Sequence, residues 1–419
     1  MSHSVDNRLI RLERVDNPQF DNAQKKFFNF PFHQLGAATL NFDFDTVIDR
    51  RAWHSIKWDK YRDLDVLPLW IADMDYPTPE FIVQAIRKRL EHPILGCSSI
   101  PDDLNETFIQ WAERKFGWQI DVDWLVWMHS VMTGVDIAVR IIGHRGDQCV
   151  MTVPTYPPFI AVPKRQDRVP VFSPLRQLEG GWEMDFDDIR RATTTAPTFL
   201  FSNPQNPTGR VYNARELKEL ASTCMQNNTI LISDDVHWGL VLEEELVYTP
   251  IASLDTEIAE RTISLFSHTK TYNVAGASAA VAVIPDPETR QAFRSEALRI
   301  HPTISPLALA GATAAYDDES SWLNELNSYL RQNRDLLQQV IEDSQLLRTT
   351  NVEGTHLMWI DATRLPVSNP QKHFESFGLG LSDGIEFHGS GFVRLNFAIP
   401  RSLLNQCMER LLEATAPFQ

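Results

Sequence analysis

The chain is short of the features that mark membrane, nucleic-acid-binding or secreted proteins. No stretch reaches the roughly 18 consecutive apolar residues that a membrane-spanning helix needs. Its first 30 residues carry charges throughout and lack the apolar core of a secretory signal. No basic run offsets a net charge of −16, which argues against nucleic acid or an anionic membrane as partner. Only four cysteines occur (Cys97, Cys149, Cys224, Cys407), far apart and with no CxxC pair. That pattern offers neither a zinc site nor a disulfide framework, and predicts reduced thiols in a cytoplasmic protein. Internal repeats and low-complexity tracts are missing too. No GxGxxG follows an early strand, which weakens a nicotinamide-dinucleotide reading.

What is there suits a globular enzyme. The 419 residues are 43% hydrophobic and 22% charged, enough for a large core divided between two domains. Residues 1–40 read as a leader, although Phe27-Phe-Asn-Phe-Pro-Phe32 within it is apolar enough to expect packing. The middle of the chain alternates helical patterns with short apolar runs at Leu125–Trp127, Cys149–Val153, Thr198–Phe201, Thr229–Ser233, Thr262–Phe266 and Ala279–Ile284. Such runs predict strands covered on both faces, hence an α/β fold with a mostly parallel sheet. Asn213-Ala-Arg-Glu216 has the form of a capping box opening the next helix. Beyond Pro302 the pattern becomes a long helix (Trp322–Ser344), short strands near Thr355–Asp361 and Phe392–Phe397, and a last helix, Arg401–Ala414. This predicts an α+β subdomain completed by part of the N-terminal region. The expected division is a leader (1–40), an N-terminal part of the small domain (41–80), a large domain (81–302) and the C-terminal small domain (303–419).

In open α/β sheets, chemistry gathers at the carboxyl ends of the strands. Asp234 closes the run Thr229-Ile-Leu-Ile-Ser233, where a carboxylate can hold a protonated ring nitrogen; alone it could equally cap a helix. Lys270 follows another strand in Ser267-His-Thr-Lys270, with Ser267 and Thr269 as hydroxyl donors for a phosphate. A desolvated lysine is a nucleophile, although a lone lysine is more often a surface group. Asn206 lies in Asn203-Pro-Gln-Asn206-Pro-Thr-Gly209, a rigid turn that also presents an amide. Arg394 stands on an alternating strand, where a guanidinium can clamp a carboxylate or simply face solvent. Tyr156 follows a strand and could stack on a ring or merely pack. Ser130 and Val131 open a helix whose N-terminus can cradle a phosphate.

Order and spacing sharpen these signals. Asn-Pro-x-Asn-Pro-x-Gly, then Ser-Asp-Asp at a strand end, Ser-x-x-Lys, and a late strand arginine resemble the fold-type I enzymes that use pyridoxal 5′-phosphate (PLP), the class I/II aminotransferase superfamily. Within it the chain looks closest to the cystathionine β-lyase and cystalysin-like C–S lyases. The branch-level segments are Asp49-Arg-Arg51, Ser55-Ile-Lys-Trp-Asp-Lys60, Leu69-Trp-Ile-Ala-Asp-Met-Asp75, Asp234-Asp-Val-His237, Lys270-Thr-Tyr-Asn-Val-Ala-Gly276 and Arg394-Leu-Asn-Phe-Ala-Ile-Pro-Arg401. The resemblance implies a large domain with a seven-stranded, mostly parallel sheet between helices, a small α+β domain, and a homodimer with active sites at the interface. It makes Lys270 the Schiff-base residue and proton carrier at the substrate Cα, and pairs Asp234 with the pyridine nitrogen. Asn206 goes to the phenolic oxygen, with Tyr156 and Val236 on the two ring faces. Ser130, Val131, Ser267 and Thr269 hold the phosphate. Arg394, with Ala72 and His237, falls on the side of an amino-acid substrate. No metal is implied.

Several positions depart from the family pattern. Gly96-Cys97 replaces the usual Gly-Tyr pair, Met128-His-Ser130-Val-Met132 replaces a glycine-containing phosphate loop, and Trp238-Gly239 stands where a carboxylate is usual. Asp235 replaces a Glu, and Thr269 a Ser. The implied reaction is α,β-elimination on a cysteine S-conjugate, giving thiol, pyruvate and ammonia. An aminotransferase or a specialised biosynthetic PLP enzyme acting on a modified amino acid are the alternatives; a non-catalytic PLP-binding regulator would not need the whole residue set.

Overall fold

A computed structural model describes residues 41–178, 181–300 and 303–418, with the backbone alone at Ile300. The 1–40 leader, including the Phe27–Phe32 run, lies outside the described residues.

Seven strands build the main sheet: β1 (Leu125–Met128), β2 (Gln148–Val153), β3 (Val169–Pro174), β4 (Thr198–Ser202), β5 (Ile230–Asp234), β6 (Thr262–Ser267) and β7 (Ala280–Val283). Their order is β1-β7-β6-β5-β4-β2-β3. All neighbours run parallel except β7, which is antiparallel to both β1 and β6. The seven-stranded, mostly parallel sheet is the one expected. Every residue of β4, β6 and β7 is buried. Period-2 alternation explains this, because successive side chains enter cores on opposite faces. Phe199, Phe201 and Leu231 join one core, whereas Leu200, Ile232, Ile263 and Leu265 join the other.

The helices between strands follow local rules. Asn213 accepts from the Arg215 and Glu216 amides while Glu216 reaches back to the Asn213 amide, so the capping box forms at the start of helix Ala214–Gln226. Helix Val131–Ile141 presses its Gly134 against the sheet. A Cβ there would stand 2.7 Å from both Leu265 Cδ2 and Met128 Sδ, so only glycine lets the helix approach so closely. That approach fixes where the helix N-terminus points.

Strand β3 escaped the sequence reading because Pro170 and Pro174 interrupt it. It is an edge strand, where a missing N–H is tolerated. The C-terminal part carries a four-stranded antiparallel sheet in the order Arg348–Thr349, Leu357–Asp361, Phe392–Asn396, Ser382–Asp383. Helices Trp322–Asp343 and Arg401–Thr415 match the expected elements closely. Near the N-terminal side, Leu67–Pro68 pairs in parallel with Leu379–Gly380.

Candidate active site

Parallel strands send their carboxyl ends to one edge of the sheet, and the singled-out residues meet there. Asp234 ends β5. Its carboxyl is buried, and its Oδ1 accepts from the Val236 amide at 3.1 Å. Burial pushes it up to about 7, against the opposing pull of that amide and of the Lys270 ammonium. Lys270 lies three residues beyond β6. Its Nζ donates to the Ala72 carbonyl at 2.5 Å. Burial lowers its pKa, as does Arg394, with Asp73 and Asp234 opposing.

Arg394 on the C-terminal sheet is buried, and its register places it beside Trp359 and Ser382. Its Nη1 donates to Asn206 Oδ1 at 2.9 Å, its Nη2 to the Trp70 carbonyl at 2.8 Å, and its charge lies 4.6 Å from the centre of the Phe387 ring. Its Nε has no partner, and burial pushes its pKa down to about 10. No carboxylate stands within ion-pair distance of it among the described residues. A buried guanidinium held only by neutral acceptors is poised for an anion.

Asn206 is buried in the turn after β4. Gln205 braces that turn: its Oε1 accepts from the Thr208 amide at 2.9 Å and the Thr208 hydroxyl at 2.6 Å, and its Nε2 donates to the Pro154 carbonyl at 2.8 Å. That last bond ties the Asn206 turn to the loop carrying Tyr156. Sequence reasoning passed over Gln205 as a variable position. Tyr156 precedes helix Pro157–Arg165, packs beside the core with Val236, and is shifted upward by burial, with Arg394 and Asp234 close enough to act on it.

Ser130 caps helix Val131–Ile141. Its Oγ accepts from the Thr133 amide at 3.2 Å and lies 3.0 Å from Thr133 Oγ1. The first helical amides, from Val131 on, have no intrahelical acceptor and form a ready anion site. Ser267 donates to the Ala279 carbonyl at 2.8 Å, so across its 2.9 Å contact with Thr269 the Thr269 hydroxyl donates to Ser267 Oγ.

The segment Trp70–Met74 turns out to organise the site through its carbonyls. Trp70 O accepts from Arg394, Ile71 O from Asn396, Ala72 O from Lys270, and Asp73 O from both Lys57 and Asn396. The fully buried Lys57 also pairs with Asp75 at 2.9 Å, whose other oxygen accepts from Arg50 at 2.7 Å and Trp58 at 3.1 Å. The Asp-x-Asp spacing was visible in the sequence, but nothing there named its partners.

The remaining positions fall as follows. His237 is buried and pushed down to about 3 by burial and by the Lys270 and Arg394 cations. Trp238 donates from its indole to the Ser267 carbonyl at 3.0 Å and packs edge-on to Trp111. A Cβ on Gly239 would come 2.5 Å from Thr271 Cγ2, so a carboxylate side chain has no room there. Asp235 is buried and accepts from the Tyr248 hydroxyl at 2.6 Å. Cys97 is exposed, at the edge of a groove also lined by Lys88, Arg89 and Thr313.

The sequence profile described as "Aminotransferase class I and II" matches residues 65–411. Among curated proteins, cystathionine beta-lyase PatB of Bacillus subtilis is 28% identical over 89% of this chain and 99% of its own length. The crystal structure of OvoB superposes with a TM-score of 0.88 at 38% identity, covering 90% of this chain and 100% of that one. Cystalysin from Treponema denticola, whose structure contains a pyridoxal 5′-phosphate cofactor, gives a TM-score of 0.85 at 27% identity, covering 91% and 100% of the two chains.

Proposed function

The chain belongs to the class I and II aminotransferase family, and from that premise we propose that it is a PLP-dependent C–S β-lyase acting on a cysteine S-conjugate or related amino acid. The observation that carries the reading is the convergence of Lys270, Asp234, Asn206 and Arg394 at one edge of the sheet, each with a bonding need the protein itself leaves open. Asp234 is a buried carboxyl with no cation in hydrogen-bond contact among the described residues, and it would gain one from a protonated ring nitrogen. Asn206 spends its carbonyl oxygen on Arg394, which leaves its amide to donate to a phenolic oxygen. The amides at the start of helix Val131–Ile141, with the Ser130 and Thr269 hydroxyls, would take a phosphate, the Thr269 proton turning to it from Ser267. Tyr156 and Val236 would line the ring faces. Lys270, depressed by burial, would hold the cofactor covalently.

When bound, PLP supplies an electron sink that stabilises negative charge at the substrate Cα. The protein's own groups then divide the remaining work. Arg394 would clamp the α-carboxylate with the N–H groups it leaves unused, its Nε among them, while Asn206 and the Trp70 carbonyl hold it in place. Ala72 lies beside the reacting atoms through its carbonyl, which positions the Lys270 amine. Released when the substrate's own amine takes its place on the cofactor, that amine would remove the Cα proton; the Cβ–S bond would break, the electron pair leaving with sulfur as thiolate, and hydrolysis of the three-carbon fragment would give pyruvate and ammonia. Lys270 suits the step because its lowered pKa raises the fraction of neutral amine near neutral pH. The four named residues would serve a transaminase as well; the C–S lyase relatives favour elimination.

We assign the remaining features in the same sense: residues 81–302 as the cofactor-binding domain, 41–80 with 303–419 as the smaller one, a cytoplasmic homodimer, and an amino-acid substrate. The test is direct. PLP-loaded protein incubated with cystathionine or an S-alkylcysteine is expected to release thiol and pyruvate together, and Lys270→Ala should lower the rate by at least about a thousandfold. A keto acid that retains the sulfur would indicate transamination instead. No thiol and no pyruvate across a broad panel would overturn the reading.

A further inference from the structure

Asn273 stands three residues beyond Lys270 and has no part in the chemistry above. Its φ of +51° lies in the left-handed region, which asparagine enters more readily than most residues. The loop around it is closed on itself: the Tyr272 amide donates to the His268 carbonyl at 3.0 Å, and the Val274 amide to the Thr269 carbonyl at 3.0 Å. From that fixed point the side chain reaches the end of the Trp70–Met74 segment. Its Oδ1 accepts from the Met74 amide at 3.0 Å, and its Nδ2 donates to the Met74 carbonyl at 3.1 Å and the Tyr76 carbonyl at 2.7 Å. The Asn273 carbonyl accepts from the Thr78 hydroxyl at 2.8 Å. The side-chain amide therefore pairs with both main-chain groups of Met74, as a residue on a neighbouring antiparallel strand would.

The other end of the segment is tied to the strand that carries Arg394. Ser382 donates to the Trp70 carbonyl at 2.6 Å, and Asn396 Nδ2 donates to the Ile71 and Asp73 carbonyls at 2.7 and 2.9 Å. Between the two sets of ties lies the Ala72 carbonyl, which accepts from the Lys270 amine at 2.5 Å. The charged groups close enough to act on that amine are Asp73 and Asp234, which favour the ammonium, and Arg394, which opposes it. None of the Asn273 bonds involves a charged group, so their loss acts on Lys270 only by letting the segment move.

We propose that Asn273 is a positioning residue: it holds the Ala72 carbonyl where the free Lys270 amine rests, and so fixes where that amine stands toward the substrate Cα. Arg394 keeps its own ties at the far end of the segment, so recognition of the α-carboxylate does not depend on Asn273. The effect on turnover rests on the lyase reading above; the resting place of the amine does not.

Asn273→Gly tests this, because glycine keeps the left-handed backbone and removes the three side-chain bonds. Lys270 is half-buried, so a small reagent reaches it. Competitive acetylation of PLP-free protein across pH, read on the Lys270 peptide by mass spectrometry, gives the midpoint of its amine. In Asn273→Gly that midpoint should fall by at least about half a unit, because the Ala72 carbonyl and the Asp73 carboxylate both recede from the ammonium. In PLP-loaded protein with an S-alkylcysteine, kcat should fall by about tenfold or more while KM stays within about twofold. A midpoint that is unchanged or raised overturns the proposal, as does a KM that rises as far as kcat falls. Should Asn273→Gly not fold, Thr78→Val removes only the bond to the Asn273 carbonyl and should lower the midpoint by a smaller amount; no shift there overturns the proposal equally. If no conjugate yields thiol or pyruvate, the lyase reading falls, and the acetylation midpoint still decides the role of Asn273.

Discussion

Asp234 shows how one side chain can be unfavourable for the empty protein and useful to the loaded one. Its folded-state pKa of about 7 lies above the ordinary carboxyl value of 3.8 because burial penalises the charge. Between those values the folded state holds more protons than the unfolded chain, so stability falls as pH rises from about 4 to 7 and levels off beyond. Asp234→Asn removes that dependence. In PLP-free protein the variant should gain stability over wild type at pH 8 relative to pH 4, by at most about 4 kcal/mol. Urea unfolding at the two pH values measures it. An equal difference at both would mean that the carboxyl is not the buried charge described. With PLP bound the sign should reverse at pH 8, because the ring nitrogen's proton then favours the carboxylate; a variant still more stable than wild type in the loaded state would argue against that pairing.

Among the elements, the carboxyl ends of the strands were legible because apolar runs of period 2 stop abruptly at polar residues. Asp234, Lys270, Asn206 and Tyr156 could each be placed by the strand before it, and the capping box at Asn213 placed the helix between. Strand β3 was not legible, since its prolines and half-exposed faces resemble a loop until a sheet edge is known. The Trp70–Met74 segment stood out as a motif, with Ala72 on the substrate side, but its main-chain role was hidden for a different reason. It acts through main-chain carbonyls, which every residue possesses, so its pattern of partners exists only in three dimensions. Gln205 was hidden likewise, because its brace to Pro154 spans two loops. The segment makes Lys57 a structural cation of more weight than its place in a short helix suggests. Lys57→Met should destabilise the fold by about 3 kcal/mol, since it leaves Asp75 with fewer partners in a buried setting. Chemical denaturation measures the loss, and a change below about 0.5 kcal/mol would mean that Arg50 and Trp58 satisfy Asp75 unaided.

At the scale of the whole molecule, the cysteines turn surface and assembly into one measurement. Cys149, Cys224 and Cys407 are buried, and burial pushes each thiol up to about 12, which disfavours the reactive thiolate. Cys97 alone is exposed, beside Ile94 and Leu95, which are 67% and 55% exposed. Two large apolar side chains left in water next to each other are costly for a lone chain and favourable once another surface covers them. In a homodimer with sites at the interface, the resemblance places the Gly96-Cys97 position toward the neighbouring subunit. Ellman's reagent should therefore modify one thiol rapidly at protein concentrations low enough for monomer, and four after denaturation. As concentration rises and sedimentation shows dimer, modification of Cys97 should slow at least several-fold. A Cys97 rate that stays constant while the dimer forms would place the interface elsewhere on the molecule, and the exposed Ile94-Leu95 pair would then require another explanation.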